Sequence, residues 1–154
     1  MNPVLLEILP HIRAGMCCSQ LLVALALQAR GEENEVWLRA ARGLCHGVGQ
    51  SGGPCGLLGG GAMILAYLSG REDGEPHPMQ DAMCNDYAEW FYGECAAFGG
   101  YGCEGLSAGL MRQAGAASND GRPDMQVCGE FLARCWEAVL QILENYDVDI
   151  TGQA

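Results

Sequence analysis

Between Gly43 and Gly61 the chain reads G-L-C-H-G-V-G-Q-S-G-G-P-C-G-L-L-G-G-G, nine glycines in 19 positions. Backbone this rich in glycine either adopts positive φ or lies very close to something else. An apolar run flanks it on each side, so the fold has to seat this loop between packed elements. Ser51-Gly52-Gly53-Pro54 predicts a loop handing over to a helix, with Pro54 at the first helical position. Cys55 would then lie in the first turn, where unpaired N–H groups and the positive end of the helix dipole favour a thiolate. A deprotonated sulfur serves a metal, an iron–sulfur cluster or a redox reaction. The plainer reading is a small apolar residue packed at a tight junction.

The rest of the chain reads as helix. Residues 3 to 13 predict a short leading helix that Pro10 kinks or ends. From about Ala14, Cys18, Leu21, Leu22, Leu25 and Ala29 recur at three- and four-residue intervals, and Glu32 to Cys45 repeats that rhythm. Cys55 to Leu68 is a third substantial helix, in which Gly56 and Gly60 leave one face without side chains, open to a neighbouring helix or a cofactor. Met79 to Phe98 carries Met83, Tyr87, Trp90, Phe91 and Cys95 on one broad face. Gly99 to Gly102 breaks the pattern, and Cys103 leads into a shorter helix, Glu104 to Gln113. Ala114 to Arg122 reads as a loop. Pro123 opens the last helix, with Asp124 near its positive end and a stripe from Cys128 to Tyr146. The final eight residues read as frayed. Period-two alternation is absent, so the expected fold is all-α: a single domain, 1–154, bundling five to six helices around the glycine loop.

Composition narrows the function. Eight Lys and Arg against 19 Asp and Glu give a formal charge of −11, which argues against nucleic acid, whose binding surfaces are basic. No run approaches the length of a membrane span, and the N-terminus lacks the basic start and long apolar run of a secretory signal. The nine cysteines are an odd number, and a chain of this length needs no disulfide scaffold. The expectation is a protein of a reducing compartment, the cytoplasm, with thiols available to metal.

No two cysteines are separated by two residues, which removes the thioredoxin dithiol, the zinc knuckle and the local ferredoxin run. Covalent haem is removed too, because the C-x-x-C-H motif ending at Cys45-His46 has Arg42 in its first position. Any metal site must gather ligands from separate helices. Cys18, Cys55, Cys103 and Cys128 stand near four helix starts, which can pool their N–H groups around one anionic centre. Cys84, Cys95 and Cys135 read as packing, as do Cys17 and Cys45, although those two adjoin the presumed site and are possible extra ligands. His46, inside the glycine loop, is another possible ligand, whereas His11 and His77 lie in polar, proline-flanked surface contexts. No carboxylate pair suits acid–base catalysis, and no Walker or dinucleotide fingerprint is present.

With those four cysteines in view, the chain resembles a family of redox-active bacterial and archaeal proteins named C-GCAxxG-C-C after its cysteine pattern. Cys18-Ser19-Gln20-Leu21-Leu22 stands for the first cysteine and Cys55-Gly56-Leu57-Leu58-Gly59 for the central motif. Phe98-Gly99-Gly100-Tyr101-Gly102-Cys103-Glu104-Gly105-Leu106 stands for the third, and Cys128-Gly129-Glu130-Phe131-Leu132 for the fourth. The resemblance runs from about residue 14 to 144. It implies a helical protein whose four cysteines bind an iron–sulfur cluster, and a similar domain in the split-Soret cytochromes c implies a homodimer. Leu57 departs from the small residue usual at its position, and the haem motif is missing.

Together these readings predict an electron-transfer protein or redox subunit rather than a stand-alone enzyme. One cluster, 2Fe-2S or larger, would be held by Cys18, Cys55, Cys103 and Cys128 and buried against the glycine-lined helix. The acidic surface would orient a basic redox partner. The alternative is a metal-free thiol/disulfide sensor or exchange protein using the same cysteines at low pKa, for example Cys17 with Cys18. A structural zinc site ranks third.

Overall fold

The computed structural model describes residues 2–115 and 125–151. Among them the chain is all-α, with seven right-handed helices and one left-handed helical turn. The elements are α1 (Pro3–Arg13), α2 (Cys18–Arg30), α3 (Glu35–Ala41), α4 (Cys45–Gln50), α5 (Gly56–Ser69), α6 (Gln80–Cys95), α7 (Cys103–Ala114) and α8 (Met125–Asn145). Short 3-10 turns, Arg42–Leu44 and Ala96–Phe98, follow α3 and α6. The expected loop from Ala114 to Arg122, and the roles given to Pro123 and Asp124, fall almost entirely outside the described residues.

The helix starts follow local chemistry. Asn2 Oδ1 accepts from the Val4 N–H at 2.9 Å with Pro3 opening α1, and Asn34 Oδ1 accepts from the Trp37 N–H at 2.9 Å to cap α3. At α2 the Gln20 carbonyl accepts from the Cys17 N–H at 3.1 Å, and the helix begins at Cys18, later than the expected Ala14. Pro10 does not end α1, which runs on to Arg13.

α2 and α5 form the central pair; α6 and α8 pack on α5 and on each other, α1 closes against α8, and α3 docks on α2. Every residue from Leu21 to Leu27 is buried, so α2 is wrapped on all sides, where the sequence showed one stripe. Each large apolar side chain so buried contributes roughly 2 kcal/mol relative to exposure. The smooth face of α5 is filled by this partner helix. A Cβ on Gly60 would stand 3.4 Å from Ser19 Cα and 3.3 Å from Leu22 Cδ1. Gly61 gives way to the ring of Tyr87, fully buried from α6, whose hydroxyl donates to Leu57 O at 2.6 Å.

The broad face predicted for the sixth helix is present, with Met83, Tyr87, Phe91 and Cys95 buried and Trp90 half-buried. The stripe of α8 holds as well, from Phe131 to Leu143. Beyond α8 the chain does not simply fray, because Val148 and Ile150 pack back on the core. No single described helix is long and apolar enough to cross a membrane.

Candidate metal centre

The glycine loop is a helical turn of the opposite hand. His46, Gly47, Val48, Gly49 and Gln50 all have φ between 59° and 70°. Left-handed backbone costs an L-residue about 1–2 kcal/mol, and most for a β-branched one such as Val48. Contacts around the turn hold it there. The Gly53 N–H donates to Gly47 O at 3.0 Å, the Cys103 N–H to Gly53 O at 3.2 Å and the Cys55 N–H to Tyr101 O at 2.7 Å. Pro54 pairs with Gly102 as a one-residue antiparallel bridge. This small lattice sews the loop before α5 to the loop before α7, and it sets Cys55 and Cys103 side by side.

Pro54 therefore precedes the helix instead of opening it. Gly56 is the first helical residue and Cys55 occupies the capping position. Cys18 and Cys103 are the first residues of α2 and α7, and Cys128 lies in the first described turn of α8. These four cysteines line one pocket, partly open to solvent, together with His46 and the apolar side chains of Leu57, Leu106, Leu110, Met125 and Phe131. The structure thus brings together all four cysteines singled out from sequence, and His46 with them. The cavity is reached at Cys55 and Leu57, not at the Gly56–Gly60 face, which the Leu44 backbone and α2 cover.

Cys17 and Cys45 do not line the cavity. Their sulfurs are joined in a disulfide, with Cα atoms 6.0 Å apart, so the partner of Cys17 is Cys45 and not Cys18. Ser19 Oγ, which donates to Ala41 O at 2.8 Å, lies 3.1 Å from Cys45 Sγ and 3.6 Å from Cys17 Sγ. Cys95 and Cys135 are buried in the core, and half-buried Cys84 faces Ala62 O at 3.8 Å.

Electrostatics correct one expectation. Helix starts were to lower the thiol pKa, yet burial pushes Cys18 up to about 11, helped by neighbouring Cys103, although the Cys18 and Ser19 N–H groups at its sulfur pull the other way. Cys55 is pushed up further, by burial first and by Cys18, Cys135 and Cys103 next, against the Leu57 N–H. Cys103 moves up through burial and the adjacent Glu104. Desolvation outweighs the dipole and the backbone donors here. These thiols stay protonated at neutral pH unless a cation takes the place of their protons.

The raised values fix a pH dependence. Burial holds both Cys18 and Cys95 at about 11 against an ordinary 9.0. Below pH 9 both thiols are neutral whether the chain is folded or not, and their contribution to stability is full. From pH 9 to 11 the unfolded chain loses these protons first, so stability falls over that window. Urea midpoints of chelator-treated protein across pH 8 to 11 check this, with a steady decline expected.

Two glycines of the turn separate steric fit from backbone strain. A Cβ on Gly47 would stand 2.6 Å from Gly53 O and 3.1 Å from Cys103 Cβ, whereas one on Gly49 would meet nothing within 4 Å. Both have left-handed φ. Gly49→Ala should cost only the backbone term, about 1 kcal/mol. Gly47→Ala should add overpacking and lose about 2–4 kcal/mol, with the Gly53 and Cys103 contacts prised apart. Chemical denaturation of the two variants side by side measures the gap.

Among the described residues no three His, Cys, Asp or Glu side chains stand close enough to share one metal ion. A family model described as "Putative redox-active protein (C_GCAxxG_C_C)" matches residues 16–142, a span that includes all four cysteines. Neither a comparison with curated proteins nor one with solved structures finds a match. The family match covers most of the chain and spans the four convergent cysteines: the chain belongs to the C_GCAxxG_C_C family.

Proposed function

We propose that the chain is an electron-transfer protein that holds one iron–sulfur cluster, 2Fe-2S in the simplest case, through Cys18, Cys55, Cys103 and Cys128. The observation that carries the reading is the convergence of these cysteines, from four separate helices, on a cavity otherwise lined mainly by apolar side chains. The donor set fits the group, because thiolates are the usual ligands of such clusters. When bound, the cluster supplies a one-electron change at iron, at a potential set by burial, net charge and hydrogen bonds to sulfur.

The chain's own part is to orient and insulate. The Gly53–Cys103 and Cys55–Tyr101 hydrogen bonds fix two ligands on rigid backbone. The N–H groups of Cys18, Ser19 and Leu57 already aim at sulfur, the outer-sphere donation that stabilises thiolate ligands. Leu57, Leu106 and Phe131, all buried, limit water at the site. His46 is exposed yet contributes to the lining, as a residue near the route of electron entry would. A net charge of −11 suits a basic redox partner.

Metal-free thiol exchange at the same four cysteines has less support, since the thiolate is the nucleophile and burial keeps Cys18 and Cys55 protonated. A lone zinc ion is disfavoured by the spacing of the donors. The test is optical. Anaerobically purified protein should absorb broadly in the visible, bleach with dithionite and recover on reoxidation. Colourless protein that holds zinc, or no metal at all, would remove the proposal.

A further inference from the structure

We propose that Cys17 and Cys45 form a second redox site, a reversible dithiol–disulfide pair separate from the four cavity cysteines. Their sulfurs are bonded and their Cα atoms are 6.0 Å apart, within the range disulfides adopt without backbone movement. Polar contacts that do not involve the sulfurs hold the same two stretches together. Gln20 Nε2 donates to Leu38 O at 2.9 Å while its carbonyl accepts from the Cys17 N–H, and Ser19 Oγ donates to Ala41 O. Cutting the S–S bond therefore leaves the sulfurs apposed, and closure is intramolecular at high effective concentration.

The reduced pair also has a partner waiting. Ser19 is fully buried and its one hydrogen is committed to Ala41 O, so its oxygen can accept from a Cys45 S–H at 3.1 Å. Both oxidation states are accommodated by one arrangement of the surroundings, which a purely structural crosslink does not need.

Cys17 and Cys45 are only 5% and 3% exposed, which restricts the oxidant to a small molecule, and a small peroxide is the class that fits. One sulfur, giving up its proton as it reacts, attacks the O–O bond, forming a sulfenic acid and releasing water. The second sulfur then displaces the sulfenic oxygen as water and closes the S–S bond. In sum two thiols lose two protons and two electrons, and the peroxide becomes two waters. A dithiol returns both, ending as its own disulfide. Cys17 precedes Cys18, and Cys45 precedes His46 at the mouth of the left-handed turn, so the bond latches the two segments that deliver those residues to the cavity. The link to the cavity rests on the cluster reading; the pair itself does not.

The experiment uses the full chain, treated with a dithiol, desalted without oxygen and then given hydrogen peroxide in stoichiometric amount. Alkylation after denaturation should mark nine cysteines before peroxide and two fewer after it. Mass mapping should find the peptides of Cys17 and Cys45 joined, and dithiol should restore the first count. Cys17→Ser should lose no thiols at the same dose. Oxidation that joins other cysteines, such as Cys55 to Cys103, would overturn the pair. So would a count that never changes, or a bond that dithiol cannot open in the folded chain. Iron measured in the same samples separates the two ideas: a reversible pair without iron sinks only the cluster, and iron beside an inert pair sinks only the latch.

Discussion

Gly61→Ala should destabilise the protein by about 3 kcal/mol, the upper part of the range for overpacking a filled core. Helix propensity alone predicts the opposite sign, since alanine is favoured over glycine inside a helix by about 1 kcal/mol. The packing decides. The new Cβ would coincide with the ring and hydroxyl of Tyr87, which is fully buried and packs on Trp90 and Phe91 at centroid distances of 5.8 and 6.0 Å. The ring has nowhere to turn. Displacing it breaks the 2.6 Å bond to Leu57 O and strands a buried hydroxyl, a cost of about 1–3 kcal/mol in its own right. Leu57 is part of the cavity wall, so the disturbance reaches the site. Thermal unfolding should show the midpoint fall by about 6–12 °C, from roughly 2–4 °C per kcal/mol at this chain length. An unchanged or raised midpoint would mean that the α5–α6 contact is looser than described.

Cys55→Ser should reduce bound iron at least ten-fold while leaving the helical signal in place. Serine keeps the shape of cysteine but offers a hard oxygen that stays protonated, a poor substitute where soft thiolate is required. Cys55 is 7% exposed, its N–H is fixed to Tyr101 O, and Pro54 before it is held in the bridge to Gly102. Cys84→Ser is the matched control: that thiol is half-buried, faces Ala62 O and lies off the cavity, so iron content should not change. Full iron in Cys55→Ser would take Cys55 out of the ligand set.

The helices were legible because their burial is periodic. The stripes of α6 and α8 could be read directly from the spacing of Tyr87, Phe91 and Cys95 and of Phe131, Cys135, Val139 and Ile142. The four cavity cysteines were legible because each stands at or near a helix start. The left-handed turn was not. His46, Val48 and Gln50 are poor choices for positive φ, and the turn is held by Gly53, whose N–H reaches Gly47 O and whose own carbonyl is fixed by Cys103, 50 positions further on. The alternation Gly47-Val48-Gly49, followed by Gly52-Gly53, was the only local sign that such backbone was coming.

Two other features depended on tertiary packing. Pairing of Cys17 with Cys45 spans 28 positions and exists because Ser19 and Gln20 dock the start of α2 on the end of α3. The raised thiol pKa values follow from burial that no helix-start argument contains. In the same way, the bare Gly56–Gly60 face gave the right expectation of close approach, and only packing could say that Leu44 and α2 cover it.

The most direct measurement is iron and acid-labile sulfide per chain on anaerobically purified, unaltered protein. A 2Fe-2S group held by Cys18, Cys55, Cys103 and Cys128 requires iron and sulfide in equal amounts, two of each per chain. Protein carrying neither, or zinc alone, would contradict it.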